Sequence, residues 1–252
     1  MNTRATFTRL YDACDFNVKP LMAHRALGFG ADALRETMSS VAPSSIEKKT
    51  HDDIFFERKM WRARRVARFI SLLPFVRGVA VCNSLAFHMV HEVSDVDLFI
   101  IAAAGRVWSA RWWVTGTLAL LRMRPGEAAR DPVCVSFFVD ERVDDLSNVM
   151  IERDVYFYFW LRTLMPIFGE HILFLRGART APEFRVTPMN FFQRTFEFFA
   201  RVVSEKFVHR QQLAIMPRDV RPRGDTSIVL TDTIIKLHQN DRRTELRDRV
   251  CV

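Results

Sequence analysis

The sequence predicts a protein of the α/β (α+β) class, and three observations carry that expectation. Phe56, Met60, Ala63, Ala67 and Ile70 recur at three- and four-residue steps, giving residues 52–73 the apolar stripe of a helix. Three short apolar runs, 75–81, 96–102 and 133–139, read as strands bounded by Pro74, an Asn83-Ser84 turn, Gly105 and Pro132. After Asn148 the chain turns aromatic, with Phe191, Phe192, Phe196, Phe199, Val203 and Phe207 again at helical spacing. The expected organisation is a mostly helical or irregular extension over 1–51, a small mixed sheet with flanking helices over 52–147, and a helical C-terminal region over 148–252.

Taken in order, residues 21–38 suit a helix interrupted by Gly28 and Gly30, and 39–45 with Pro43 suit a loop. The helix that follows carries Arg58, Arg62, Arg65 and Arg68 largely off its apolar stripe. These are either a phosphate- or RNA-facing surface or a solvated face whose arginine stems cover the core edge. Beyond the turn, 85–90 allows one or two helical turns, 106–122 a full helix, 124–132 a loop with Pro125 and Gly126, and 140–147 an acidic exit. Helices are expected over 154–174 and 188–209, and a basic loop over 218–225. A last helix of about fifteen residues should start near Asp232 as its cap, carrying Ile234, Ile235 and Leu237.

Composition narrows the surroundings. With 22 Phe against 3 Tyr, the core should be aromatic-rich. A formal charge of +8 fits an anionic partner such as a nucleotide or nucleic acid, and equally a merely basic surface. The four cysteines, Cys14, Cys82, Cys134 and Cys251, show no C-x-x-C spacing, which gives neither a zinc ribbon nor a disulfide framework and fits a reducing compartment. The first residues lack a signal peptide's apolar segment. Apolar runs such as 112–121 are too short to span a bilayer, so the expectation is a cytoplasmic protein with no membrane partner.

The chemistry is expected at Asp95 and Asp97. Carboxylates at i and i+2 of a strand share a face, and here the flanking Val96, Leu98, Phe99, Ile100 and Ile101 belong to a core strand. Two like charges in an apolar setting are costly unless a cation lies between them, and a divalent metal is the simplest such cation. His88 and His91 invite a zinc reading, but no third nitrogen or thiolate stands at a suitable spacing, so capping or surface roles fit better. No P-loop and no nucleophile elbow occurs. Trp108, Trp112 and Trp113 lie at helical spacing and read as core. Arg106 and Arg111, flanking the strand end, are either phosphate-binding groups or helix-surface cations in a salt link, while Lys206, His209 and Arg210 read as a basic helix end. In the final segment Lys236, His238, Arg242 and Arg243 could approach a phosphate chain if that segment packs over the site.

A short strand, the Asn83-Ser84 turn, a brief helix and about ten residues later Asp95-Val96-Asp97 in the next strand resemble the polymerase-beta-like nucleotidyltransferase superfamily. The phrases WRARRVARFISLLPFVRGVAVCNSLA and SDVDLFIIAAAGRVWSAR, with the closing KLHQNDRRTELRDR, look like a group of stand-alone bacterial and archaeal nucleotidyltransferase-domain proteins. The resemblance covers about residue 55 to the C-terminus. It implies a Mg²⁺ (or Mn²⁺) cofactor held by Asp95 and Asp97, with Ser84 and the turn at Asn83 touching the β- and γ-phosphates of an NTP. It also implies in-line attack by an acceptor hydroxyl on RNA, protein or a small molecule, with release of pyrophosphate. The sequence departs from the family at Asn83, where Gly is usual, and at Ser136, where a neighbouring strand usually carries a third carboxylate. By simple strand parity Cys134, Ser136, Phe138 and Asp140 share a face, which leaves Asp140 as the carboxylate able to assist, about 13 Å along the strand from Ser136. A catalytically silent module of the same fold, binding a nucleotide, RNA or protein partner, is the alternative, and an RNA-binding helix at 58–68 a third.

Overall fold

The computed structural model describes residues 45–87, 90–128, 130–169, 191–217, 220, 226–238, 241 and 243–250. The sequence readings for 1–44, His88, 170–174, most of 218–225 and Arg242 lie outside the described residues. Helix α1 (Ser45–Ile70) leads into β1 (Val76–Val81), the single turn α2 (Asn83–Ala86), β2 (Val96–Ala102), α3 (Val107–Leu120) and β3 (Val133–Asp140). A 3₁₀ turn (Ser147–Val149) precedes α4 (Val155–Thr163) and β4 (Met165–Phe168). Then come α5 (Phe191–Ala200), α6 (Glu205–Ile215), β5 (Ile228–Leu230), β6 (Ile234–Leu237) and α7 (Arg243–Val250).

One mixed sheet in the order β4-β1-β2-β3-β6-β5 joins these strands; β2 and β3 are parallel, and every other pair is antiparallel. A parallel pair needs a crossover, and α3 supplies it. Strand β2 is central, and all its residues except Asp97 are buried, as expected of a strand covered on both faces. Met60, Ala63, Val66, Ala67 and Ile70 of α1 enter the core, so the stripe read from the sequence is the packed face. Gly169 closes β4 against β1: a Cβ there would lie 1.8 Å from the Arg77 carbonyl oxygen, and the backbone has φ +75°.

The mixed sheet with flanking helices is the expected class. The C-terminal region supplies helices α4–α7 and, in addition, β4, β5 and β6. The helix expected from Asp232 is not formed. Ile234 and Ile235 are buried in β6, with neighbours on opposite faces, because that strand lies between β3 and β5. The Thr231–Thr233 segment is a hairpin turn: the Thr231 hydroxyl accepts from the backbone N–H of Thr233 and of Ile234. The helix expected over 188–209 breaks at residues 201–204 into α5 and α6. Among the described residues no helix is long and apolar enough to cross a membrane.

Buried charges are paired. Asp154 caps α4 by accepting from Phe157 N at 2.9 Å and binds Arg243 at 2.6 Å, and Arg243 also reaches Asp241, the Val149 carbonyl and Thr226. This cluster fastens α7 to α4 and to the end of β6. Glu197 of α5 takes both Arg77 guanidinium nitrogens at 2.7 Å. Removing one partner from such a pair costs about 3–5 kcal/mol.

Candidate functional site

Strand register assembles the site. Cys82, just after β1, donates its N–H to the Asp97 carbonyl at 3.1 Å, and Asp97 pairs with Cys134 across the parallel β2–β3 ladder. Cys82, Asp97 and Cys134 therefore form one row across the sheet, on one face. Asn83 then turns the chain with φ 53°, the left-handed conformation that Gly adopts most freely and Asn tolerates. Its side chain lies sideways. The carboxamide oxygen accepts from the Trp160 indole N–H at 2.8 Å, and the amide donates to Asp97. Trp160, buried on α4, packs against Phe99, Phe137 and Phe157, so an aromatic wall covers the sheet beside Asp97.

Electrostatics distinguish this row from the rest of the molecule. Burial first, then the nearby Asp95 charge, pushes the Asp97 carboxyl up from 3.8 to about 6, against the opposing hydrogen bonds from Asn83 and the Cys134 thiol. Half-buried Asp95 is also raised by burial, with Lys59 acting in the other direction. Burial and then the two aspartates push Cys134 up to about 12, and burial raises Cys82 well above the ordinary thiol range. Both remain protonated at neutral pH and act as donors or packing groups rather than nucleophiles.

Lys59 is a site residue that the sequence reading missed. It is fully buried, and its ammonium donates to the carbonyls of Glu92 at 3.0 Å and Ser94 at 2.6 Å and to the Asp131 carboxylate at 2.6 Å. Arg58 takes the same carboxylate through two bonds of 2.8 Å. One cation thus ties the segment entering β2, where Asp95 stands, to the segment entering β3. The signal was present: Lys59 falls in step with Ala63, Val66 and Ile70, a charge in register with the core face. Ser94 helps shape the same turn, accepting from His91 N at 3.0 Å.

Asp140 is not brought to this site, which corrects the strand-parity expectation. Asp97 pairs with Cys134, but Phe99 pairs with Phe137, so β3 carries an extra residue in between. The bulge reverses parity. Phe137 comes to the Asp97 face, where its ring meets Phe99, and Asp140 goes to the opposite face at the far end, paired with Ala102. There Asp140 is fully buried and accepts from Gly105 N at 2.6 Å and from the Arg142 guanidinium at 2.7 and 2.9 Å. Although burial pushes its carboxyl up, Arg142 and these backbone N–H groups hold it below the usual range. Ser136 lies in the bulge, within hydrogen-bonding reach of Cys134.

Other cations named from the sequence serve the framework. Arg106 covers the Phe75 ring and donates to the Val203 carbonyl, and Arg111 binds Gln212. Lys236 donates to the Thr226 carbonyl at 2.6 Å, and burial lowers its ammonium to about 8. His238 is lowered by burial and then by Lys236. Trp108 is fully buried and stacks on His209. His91 is exposed. Among the described residues no set of three or more His, Cys, Asp or Glu is placed to hold a metal by itself. The Asp95–Asp97 pair offers two hard carboxylates, a donor set that Mg²⁺ takes together with waters and substrate phosphates.

Compared with known proteins, the chain matches no family model, no curated protein and no solved structure.

Proposed function

We propose that the protein is a Mg²⁺- or Mn²⁺-dependent nucleotidyltransferase that moves a nucleoside monophosphate from an NTP to an acceptor hydroxyl. One observation carries the reading: burial and then the neighbouring Asp95 drive the half-buried Asp97 carboxyl up to about 6, and among the described residues no Lys or Arg pairs with it. Asp131, Asp140, Asp154 and Glu197 are each matched by Lys or Arg. A site that sets two repelling carboxylates side by side, with Lys59 offsetting part of the Asp95 charge, is arranged for a further cation that arrives with its ligand.

In this reading Asp95 and Asp97 would hold the metal, and the chemistry it would supply is neutralisation of phosphate charge and activation of the α-phosphorus. Asn83 orients the Asp97 carboxylate through its amide while Trp160 fixes the Asn83 side chain. Ser84, half-buried beside the turn, donates its hydroxyl to a phosphate oxygen. The Phe99, Phe137 and Trp160 wall keeps water from the back of the site. Cys82 and Cys134 are free thiols, in keeping with a cytoplasmic location.

The second reading, a module that binds NTP without transfer, is favoured by the placement of Asp140. With that residue at the far end of β3 and Ser136 at the bulge, β3 brings no carboxylate to the acceptor. Two measurements separate the readings. Label transfer from an α-labelled NTP across RNA, protein and small-molecule acceptors supports the enzyme, and it should vanish in the Asp95→Asn, Asp97→Asn double variant. Calorimetric binding of NTP and Mg²⁺ with no transfer to any acceptor supports the module. Full transfer in the double variant removes the metal assignment.

A further inference from the structure

Helices α5 and α6 are built inside out. Their buried side chains include polar ones that bind the body of the protein. Gln193 donates to the Leu73 and Val76 carbonyls, Glu197 takes Arg77 at 2.7 Å, and Gln212 donates to the Trp108 carbonyl at 2.7 Å. Glu205 caps the start of α3, accepting from Trp108 N at 2.7 Å and from Ser109. Large apolar side chains face outward: Phe198 is 73% exposed, Phe199 67%, Val202 88%, Phe207 57% and Ile215 77%. A helix pair whose only environment is water has the reverse arrangement.

Charge and backbone chemistry identify what this face meets. The exposed ionised side chains over 193–217 are Arg194, Arg201, Lys206 and Arg210, with no exposed carboxylate among the described residues of the pair. Of these cations Arg201 is paired within α5, to the buried Glu197 at 3.0 Å, and Asp232 faces half-buried His209 at 3.4 Å. A two-fold contact between copies would set these four cations against themselves, which disfavours self-association. Phe198, Phe199 and Phe207 could each stack on a base, but Val202, Val203, Leu213 and Ile215 on the same face offer bases nothing, and an apolar medium is what buries rings and aliphatic groups alike. The apolar apex is the turn between the two helices, closed by local backbone bonds. Val202 N donates to Phe199 O, Val203 N to Ala200 O, and Phe207 N and Val208 N to Ser204 O, while Arg106 donates to the Val203 carbonyl at 2.9 Å.

We infer that the α5–α6 turn docks on an anionic lipid surface. Phe198, Phe199, Val202 and Phe207 enter the headgroup–acyl boundary, and Arg194, Arg201, Lys206 and Arg210 meet the lipid phosphates. The contact is peripheral. It requires no spanning segment and is independent of the nucleotide reading of the Asp97 site.

Flotation of the full chain with vesicles tests it. The protein should float with phosphatidylcholine–phosphatidylglycerol vesicles, much less with phosphatidylcholine alone, and less as salt rises. Phe199→Ser with Val202→Asp should weaken binding about tenfold or more. Lys206→Glu with Arg210→Glu should remove the preference for anionic vesicles. All these positions are exposed, and an unchanged melting temperature confirms that each variant is folded. Failure of the folded wild type to float overturns the inference, as does flotation undiminished in Phe199→Ser/Val202→Asp. A lipid-free dimer abolished by Val202→Asp would make the face a self-interface, and single-stranded RNA binding abolished by the same change, without flotation, would make it a nucleic-acid face. Either result also overturns it.

Discussion

Strands β2 and β3 lie side by side, and each end of the pair holds a buried or half-buried carboxylate, but the two ends are electrostatic opposites. At the N-terminal end Asp97 meets a thiol, an amide and another carboxylate, and it is driven up to about 6. At the C-terminal end Asp140 meets Arg142 and two backbone N–H groups and is held low. The same ladder therefore contains one carboxylate that stabilises the fold by being charged and one that destabilises it by being charged. A protein keeps the second kind where a ligand uses the charge.

The contrast can be broken at several points. Replacing Asp95 and Asp97 together by Asn should reduce label transfer on the order of a thousandfold, comparable to removing a main electrostatic stabiliser. The check is transfer per folded molecule. Lys59→Met should cost about 3 kcal/mol, since it leaves the Asp131 side of a buried pair short of a cation and unties the Glu92–Ser94 carbonyls. A shifted urea midpoint would measure it. Asp140→Asn should cost about 2 kcal/mol by weakening acceptance from Gly105 N and Arg142. Transfer per folded molecule should be unchanged, because Asp140 lies far from the proposed metal pair.

Asp97→Asn alone should act with the opposite sign. A carboxyl raised from 3.8 to about 6 on folding gives stability that is present below the unfolded value and lost as pH rises through the folded one. The neutral amide should therefore stabilise the protein by about 2 kcal/mol at pH 7, with the difference closing as pH falls from about 6 to about 4. Added Mn²⁺ should raise the melting temperature of the wild type and leave the Asn variant unmoved. If Asp97→Asn is destabilising at pH 7 without metal, the opposition between the two ends fails. Smallest of all, Trp160→Phe keeps the aromatic wall and removes one N–H to Asn83, about 1 kcal/mol of stability, with a modest loss of Mn²⁺ affinity.

Much of the sheet's centre was legible because its strands are short apolar runs punctuated by Pro74, Asn83, Gly105 and Pro132. The Asp95–Asp97 pair was legible because charges interrupt such a run. Asp140 was misplaced because a bulge at residues 135–136 changes no residue type; it exists only in the pairing of β3 with β2. Strand β6 was read as helix because two adjacent buried isoleucines satisfy either period over so short a stretch. Lys59 was overlooked among neighbouring arginines, although its phase with the core stripe set it apart. The polar undersides of α5 and α6 were hidden by Phe198, Phe199 and Phe207, which suggested a core that those three residues do not join.

The strand order has a consequence for how the molecule is made. Strands β1, β2 and β3 are synthesised in sequence, while the strands that flank them, β4 on one side and β6 with β5 on the other, begin at Met165 and Ile228. A chain emerging from the ribosome completes the central ladder with both margins unpaired, and each margin is a template for the wrong partner. Asp97 gains its Trp160 wall only when residues 155–163 follow. The site thus matures after the strands that carry it, and a chaperone acting on this protein would engage the interval before β4 docks.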